Sequence, residues 1–271
     1  MYIENKCIIC EKEANAKNSH IVPMNLIKDC VGSRNNEISY DIDILNKNQI
    51  ESRIYIGDNL KHNKDEINNE NLEINDVNPY TLDNILCSCC EKKLGKIEGR
   101  VYSEIILKIR DEKYQNNFRN VNVNNFDLLI PNTNKISKVE LDIYFYSIIL
   151  RVIKSLKPQD VPFNVVKKTV DLIANFLNHK IYGLSEYNEQ LKTGLIIYIT
   201  NNPKSFPTFL ESNKFEKLII PVCQFFIMLE NNTVTNPFGN CMNNINDDEF
   251  KFIKNSEILD KELFSVKNFL K

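Results

Sequence analysis

Apolar positions recur with different periods along the chain. From residue 88 to about 114, Leu94, Ile97, Val101, Ile105 and Ile109 follow three-to-four spacing, which lays one apolar stripe along a helix. Gly95 and Gly99 weaken that helix by roughly 1 kcal/mol each relative to alanine. A second helix is predicted over about 139–156, burying Leu141, Phe145, Ile148, Ile149, Val152 and Leu156. A third, over about 164–180, buries Val166, Val170, Ile173 and Leu177. Two β-rich runs follow at 195–200 and 218–229, and an amphipathic helix at about 257–270. Residues 31–80 are polar and broken. Only 37–45 and 53–56 alternate enough for short strands, and the rest reads as an insertion or mobile loop.

Residues 116–125 read as a linker, so the boundary falls there. The expected fold class is α+β, with an N-terminal module over 1–125 and a mainly helical domain with a few strands over 131–271.

Composition narrows the classes. A chain of 271 residues, 42% hydrophobic and 26% charged, can bury a sizeable core like an ordinary globular protein. Its apolar runs are too short or too interrupted to span a bilayer, so no membrane partner is expected. The start lacks a basic-then-apolar pattern, which points to the cytoplasm, where paired cysteines more often hold metal than form disulfides. A net charge of −2 argues against extensive coating of nucleic acid. A local basic face stays open on the helix at 88–114, where Lys92, Lys93, Lys96, Arg100, Lys108 and Arg110 outweigh Glu91, Glu98, Glu104 and Asp111. With 7 glycines and no Gly-rich loop, a phosphate cradle is not expected.

The candidate chemistry begins with two cysteine knuckles, Cys7-Ile-Ile-Cys10 and Cys87-Ser-Cys89-Cys90. Each sets two thiols three positions apart, a spacing that lets both reach one tetrahedral ion from a tight turn. Four thiolates, Cys7, Cys10, Cys87 and Cys90, suit structural Zn²⁺. A redox pair is the alternative, although two pairs are seldom needed for exchange. Cys30, Cys223 and Cys241 read as isolated thiols.

Between the knuckles lies Ser19-His20-Ile21-Val22-Pro23, and Asn84-Ile-Leu leads into the second. The order Cys-x-x-Cys, His-Ile-x-Pro, Asn-x-Leu-Cys-x-x-Cys resembles the zinc-knuckle branch of the HNH endonucleases, the His-Me finger family with a ββα-metal fold. The resemblance covers residues 1 to about 112. It implies that His20 is the general base, that Asn84 orients its loop, and that the helix after the second knuckle carries a ligand to a catalytic Mg²⁺ or Mn²⁺. The implied activity is metal-dependent phosphodiester hydrolysis, with DNA the expected nucleic acid, in settings such as bacterial anti-phage defence or a mobile element.

The sequence departs from that pattern at two points. Ser19 stands where the family carries an acidic or histidine ligand, and no histidine follows Cys90. Glu91 and Glu98, seven residues apart on one helix face, are the candidate replacements. Each residue also has a plainer reading. In it, His20 caps a turn, Glu91 suits a helix N-terminus by charge alone, and Glu98 is a solvated ion pair. Arg151 is read as covering apolar surface with its stem while its head reaches water. The second function class is therefore a non-catalytic zinc module that recognises protein or nucleic acid, with the C-terminal half as a possible protein-binding surface.

Overall fold

Strand β7 (Thr193–Ile199) shows how the pattern becomes a sheet. Leu195, Ile197 and Ile199 enter one apolar cluster, while Ile196 and Tyr198 enter another on the opposite face. A strand covered on both faces needs an unbroken apolar run, and this one has it. The computed structural model describes residues 5–26, 38–42, 52–56, 81–109, 111–123, 126–132, 134–155, 163–184, 193–199, 210–212, 217–222, 225–231 and 239–255.

β7 lies in the middle of a seven-stranded sheet. Across it, the order runs β5 (Phe118–Val123), β6 (Phe126–Pro131), β11 (Phe252–Asn255), β7, β10 (Phe225–Asn231), β9 (Lys217–Val222) and β8 (Leu210–Ser212). Only β11 and β7 run parallel. Gly194 lets β7 pass close to Met242: a Cβ there would meet the methionine Cε at 2.6 Å and push that flexible end aside.

Two smaller sheets pair β1 (Ser19–His20) with β4 (Thr81–Leu82), and β2 (Ile38–Ile42) with β3 (Ser52–Ile56), both antiparallel. β2 and β3 occupy the two stretches where alternation predicts strands. Most of the insertion at 31–80, and the helix expected at 257–270, lie outside the described residues. The α+β class is as expected.

Three long helices are described: α1 (Ser88–Val101), α2 (Lys138–Ser155) and α3 (Phe163–Tyr182). Every residue of α2 from 141 to 153 is buried, so other elements cover it all round. On one side Phe145 stacks on Phe250, with centroids 5.5 Å apart, and meets Phe225 and Phe252 edge-on. On another, Tyr146 meets Phe176 of α3 at 5.5 Å. α2 thus forms a middle layer between the sheet and the other helices. The apolar cluster runs unbroken from Cys7, Ile9 and Leu86 through α1 and α2 to Phe225.

Two local expectations are corrected. Within the linker read at 116–125, residues 118–123 form strand β5, paired with β6 at the edge of the sheet. Its asparagines sit on the exposed side, where an edge strand tolerates polar residues, and Asn122 donates to Asp127 at 2.9 Å. The helix read to residue 114 stops being regular at Val101. It widens into a π-turn over Tyr102–Ile106, with Leu107 N–H bonded to the Tyr102 carbonyl at 3.0 Å. The apolar stripe survives, since Ile105 and Ile109 stay buried. No helix among the described residues is long and apolar enough to cross a membrane.

α2 also buries an acid. Asp142 is 1% exposed and pairs with Lys138 at 2.7 Å. Burial pushes its carboxyl up from 3.8 to about 7, against the pull of Lys138; Asp247 adds to the rise and Lys180 opposes it. A folded value above the unfolded one makes this term favourable below about pH 4, and the gain is lost as pH rises through about 7. Denaturation of wild type and Asp142→Asn between pH 4 and 8 should therefore show wild type losing ground as pH rises. The slope is bounded at roughly 1.4 kcal/mol per pH unit, the limit for one proton. A gap that does not change with pH would contradict this.

Candidate metal centre and the cluster beside it

The first knuckle is closed by its own backbone. Lys6 and Glu13 form a β-bridge, Cys7 N–H donates to the Lys12 carbonyl at 2.7 Å, and Glu11 N–H returns to the Cys7 carbonyl at 3.0 Å. Glu11 takes a left-handed conformation with φ of 58°, which an L residue adopts at a cost of about 1 kcal/mol. The second knuckle is laid against the first. Ile8 N–H reaches the Ile85 carbonyl at 3.0 Å, Ala16 N–H the Leu86 carbonyl at 2.9 Å, and Asn84 N–H the Ala16 carbonyl at 2.8 Å. Asn15 Oδ1 accepts from both the backbone and hydroxyl of Ser88. Cys87 then starts α1 as its N-cap, its sulfur accepting from Cys90 N–H at 3.4 Å.

This folding brings Cys7, Cys10, Cys87 and Cys90 together, with all four sulfurs within 4.8 Å of one another. A tetrahedron of thiolates around an ion at about 2.3 Å has edges of about 3.8 Å. Cys10 and Cys87 stand 3.6 Å apart, close to that edge and far longer than a disulfide bond of about 2.05 Å. The four cysteines could hold a metal ion. Their sulfurs already share protons: a hydrogen bond from Cys90 holds Cys7 down to about 4, and the same contact pushes Cys90 up. Burial also raises Cys10. Cys89 points out to solvent, whereas Cys241 is buried in the sheet's second cluster and pushed up to about 11 by that burial.

Beside the centre sits a polar cluster built around Arg151. Arg151 is 1% exposed, which corrects the expectation that its head reaches water. Its guanidinium donates to the His20 carbonyl at 2.6 Å, to Glu98 Oε1 at 2.5 Å, and to Ser147 on its own helix. One residue of α2 therefore ties β1 to α1. Glu98 is the counter-ion of this buried cation rather than a solvated surface charge.

Glu91 is half-buried on the first turn of α1, and its Oε2 is enclosed without a hydrogen-bond partner. Ser19, fully buried, lies close enough to pull the Glu91 pKa down, yet the Ser19 hydroxyl completes no hydrogen bond. Burial is the larger effect and raises the Glu91 carboxyl, with Ser19 and Arg151 opposing it. His20 is half-buried in β1, paired with Thr81 across to β4. Asn84 is exposed in the turn after β4, with φ of 58°, a conformation that asparagine tolerates better than most residues. The expected site residues thus divide: the His20 carbonyl and Glu98 bond Arg151, Glu91 lies beside Ser19, and Asn84 shapes the approach to the second knuckle.

The basic face that the sequence left open is engaged only in part, and Arg100 keeps 59% of its side chain exposed. Lys93 caps α3, Arg100 pairs with Glu140 at 2.6 Å, and Lys108 pairs with Glu104 at 2.7 Å, while Lys92 and Lys96 remain exposed. Tyr182 at the end of α3 brings its hydroxyl within 3.1 Å of Cys90 Sγ. Sequence reading singled out Arg151 but sent its head to water, and it missed Tyr182. The signal available for Arg151 was a lone cation within an apolar helix.

No protein-family model, curated protein or solved structure matches this chain.

Two outcomes follow from the geometry. Cys7→Ser or Cys90→Ser should abolish stoichiometric metal uptake and lower the melting temperature to that of chelator-treated wild type, because metal binding and folding are linked. Elemental analysis with thermal melts checks this, and full metal content in either variant would refute a four-sulfur centre. Arg151→Met should destabilise by about 3–5 kcal/mol, since Glu98 would be left without its buried partner. Denaturant titration measures it, and a loss below about 1 kcal/mol would mean the cluster relaxes into water.

Proposed function

We propose that Cys7, Cys10, Cys87 and Cys90 hold a structural Zn²⁺, and that the module it staples hydrolyses phosphodiester bonds of nucleic acid. Zinc is the choice because it favours four sulfur ligands in a closed tetrahedron and needs no open position when its role is structural. The observation that carries the hydrolytic reading is the order of elements. β1 and β4 pair antiparallel, α1 follows directly, and the His20 strand faces the helix turn bearing Glu91. That is a ββα arrangement with a histidine on its first strand.

In this reading His20 takes a proton from water, the hydroxide attacks phosphorus, and the bond to the leaving oxygen breaks. An imidazole titrates close enough to neutrality to serve as that base. The oxygens offered to a hard ion are Glu91 Oε2 and Ser19 Oγ, both buried and unpartnered. Such an ion, Mg²⁺ or Mn²⁺, supplies charge to the phosphoryl and leaving oxygens when bound. Glu98 is engaged by Arg151, so Glu91 is left as the principal carboxylate.

A second reading, a non-catalytic zinc module for recognition, is favoured by Arg151 itself. Its guanidinium already supplies positive charge between β1 and α1.

Plasmid and single-stranded DNA and RNA, incubated with Mg²⁺ or Mn²⁺, separate the two readings. Wild type should cleave, and His20→Ala should lose at least about 100-fold in rate while keeping its zinc. Zinc-loaded wild type that cleaves none of these substrates would sink the hydrolytic reading and leave the recognition module.

A further inference from the structure

The C-terminal end of α3 is built into the wall of the cysteine centre. Gly183, with φ of 62°, ends the helix in a left-handed turn, and Leu184 N–H returns to the His179 carbonyl at 3.0 Å. These are the marks of a Schellman stop, which fixes the direction of the preceding residue, Tyr182. The stop is reinforced from α1. Lys93 Nζ donates to the Ile181 carbonyl at 3.1 Å, satisfying a helix-end acceptor where positive charge is favoured. The same ammonium lies 4.0 Å from the centre of the Tyr182 ring, and Lys12 from the first knuckle approaches that ring at 5.8 Å. Held this way, the Tyr182 hydroxyl reaches Cys90 Sγ at 3.1 Å across a separation of 92 residues.

We infer that Tyr182 is an outer-shell ligand of the metal centre: its hydroxyl donates to the Cys90 thiolate, and metal occupancy thereby holds the end of α3 against the knuckles. This rests on the four-cysteine centre and is independent of any hydrolytic activity. Four thiolates around a divalent ion leave a net negative charge. A phenolic donor and two ammonium groups on the same ring are the complement such a charge calls for. Hydrogen bonds from outside the first shell fix ligand orientation, and losing one typically lowers metal affinity about 10–100-fold.

Tyr182→Phe removes the donor and keeps the ring under Lys93. Three readouts apply, none of which requires catalysis. Competition with a chromophoric chelator should show zinc held about tenfold more weakly in the variant, and the thiolate charge-transfer bands of the cobalt-loaded protein should shift. Hydrogen exchange at residues 179–184 should quicken when zinc is removed from wild type, and should already be quick in zinc-loaded Tyr182→Phe. Unchanged affinity and cobalt bands in Tyr182→Phe would overturn the inference. Wild type that takes up neither zinc nor cobalt would instead overturn the centre itself.

Discussion

A guanidinium with 1% exposure is the constraint around which the N-terminal module is arranged. Burying a cation costs several kcal/mol unless charge and hydrogen bonds compensate it inside the protein. Arg151 finds compensation from three elements: Glu98 on α1, the His20 carbonyl on β1, and Ser147 on α2. A strand carbonyl and a helix carboxylate must therefore stay within hydrogen-bond reach of one planar group. Swinging either away would strand a charge. The angle between β1 and α1 is consequently set from α2, whose fully buried surface fixes where the guanidinium can be.

α1 is held at two levels along its length. Its first turn carries Cys90, drawn to the other three sulfurs and to Tyr182. About two turns later Glu98 is drawn to Arg151. Lys93, between them, reaches across to the end of α3. The long helices α2 and α3 thus each place a polar tip against the knuckle module. Apolar packing from Leu94 and Val101 fills the space between these contacts. This division suits the energetics: packing supplies the larger, non-directional term, and the few polar contacts select one registration among several that apolar surfaces would accept.

Local signals in the sequence carried far; long-range ones did not. The cysteine pairs were legible because their spacing is itself the geometry, and α2 was legible from the spacing of Leu141, Phe145, Ile148 and Val152. Residues 116–125 misled because an edge strand with Asn120 and Asn122 outward has the composition of a linker. Arg151 misled because a cation within an apolar helix looks like a stem reaching for solvent. Its partners, His20 and Glu98, stand 131 and 53 residues away and nothing local announces them. Glu11, Asn18 and Asn84 take left-handed conformations in a chain with few glycines, so the turns they shape carry no glycine to mark them.

The same guanidinium bears on what the Ser19–Glu91 pocket will accept. Burial pulls Glu91 toward its neutral form, while Arg151 favours the charged one. A hard dication arriving there gains the carboxylate but meets a fixed cation already bonded to the neighbouring acid. The guanidinium repels that dication, and its pairing with Glu98 cancels part of the repulsion. Under the proposed hydrolytic reading, the ion's affinity would come partly from the substrate's own phosphate oxygens, which bring the negative charge that Glu98 gives to Arg151.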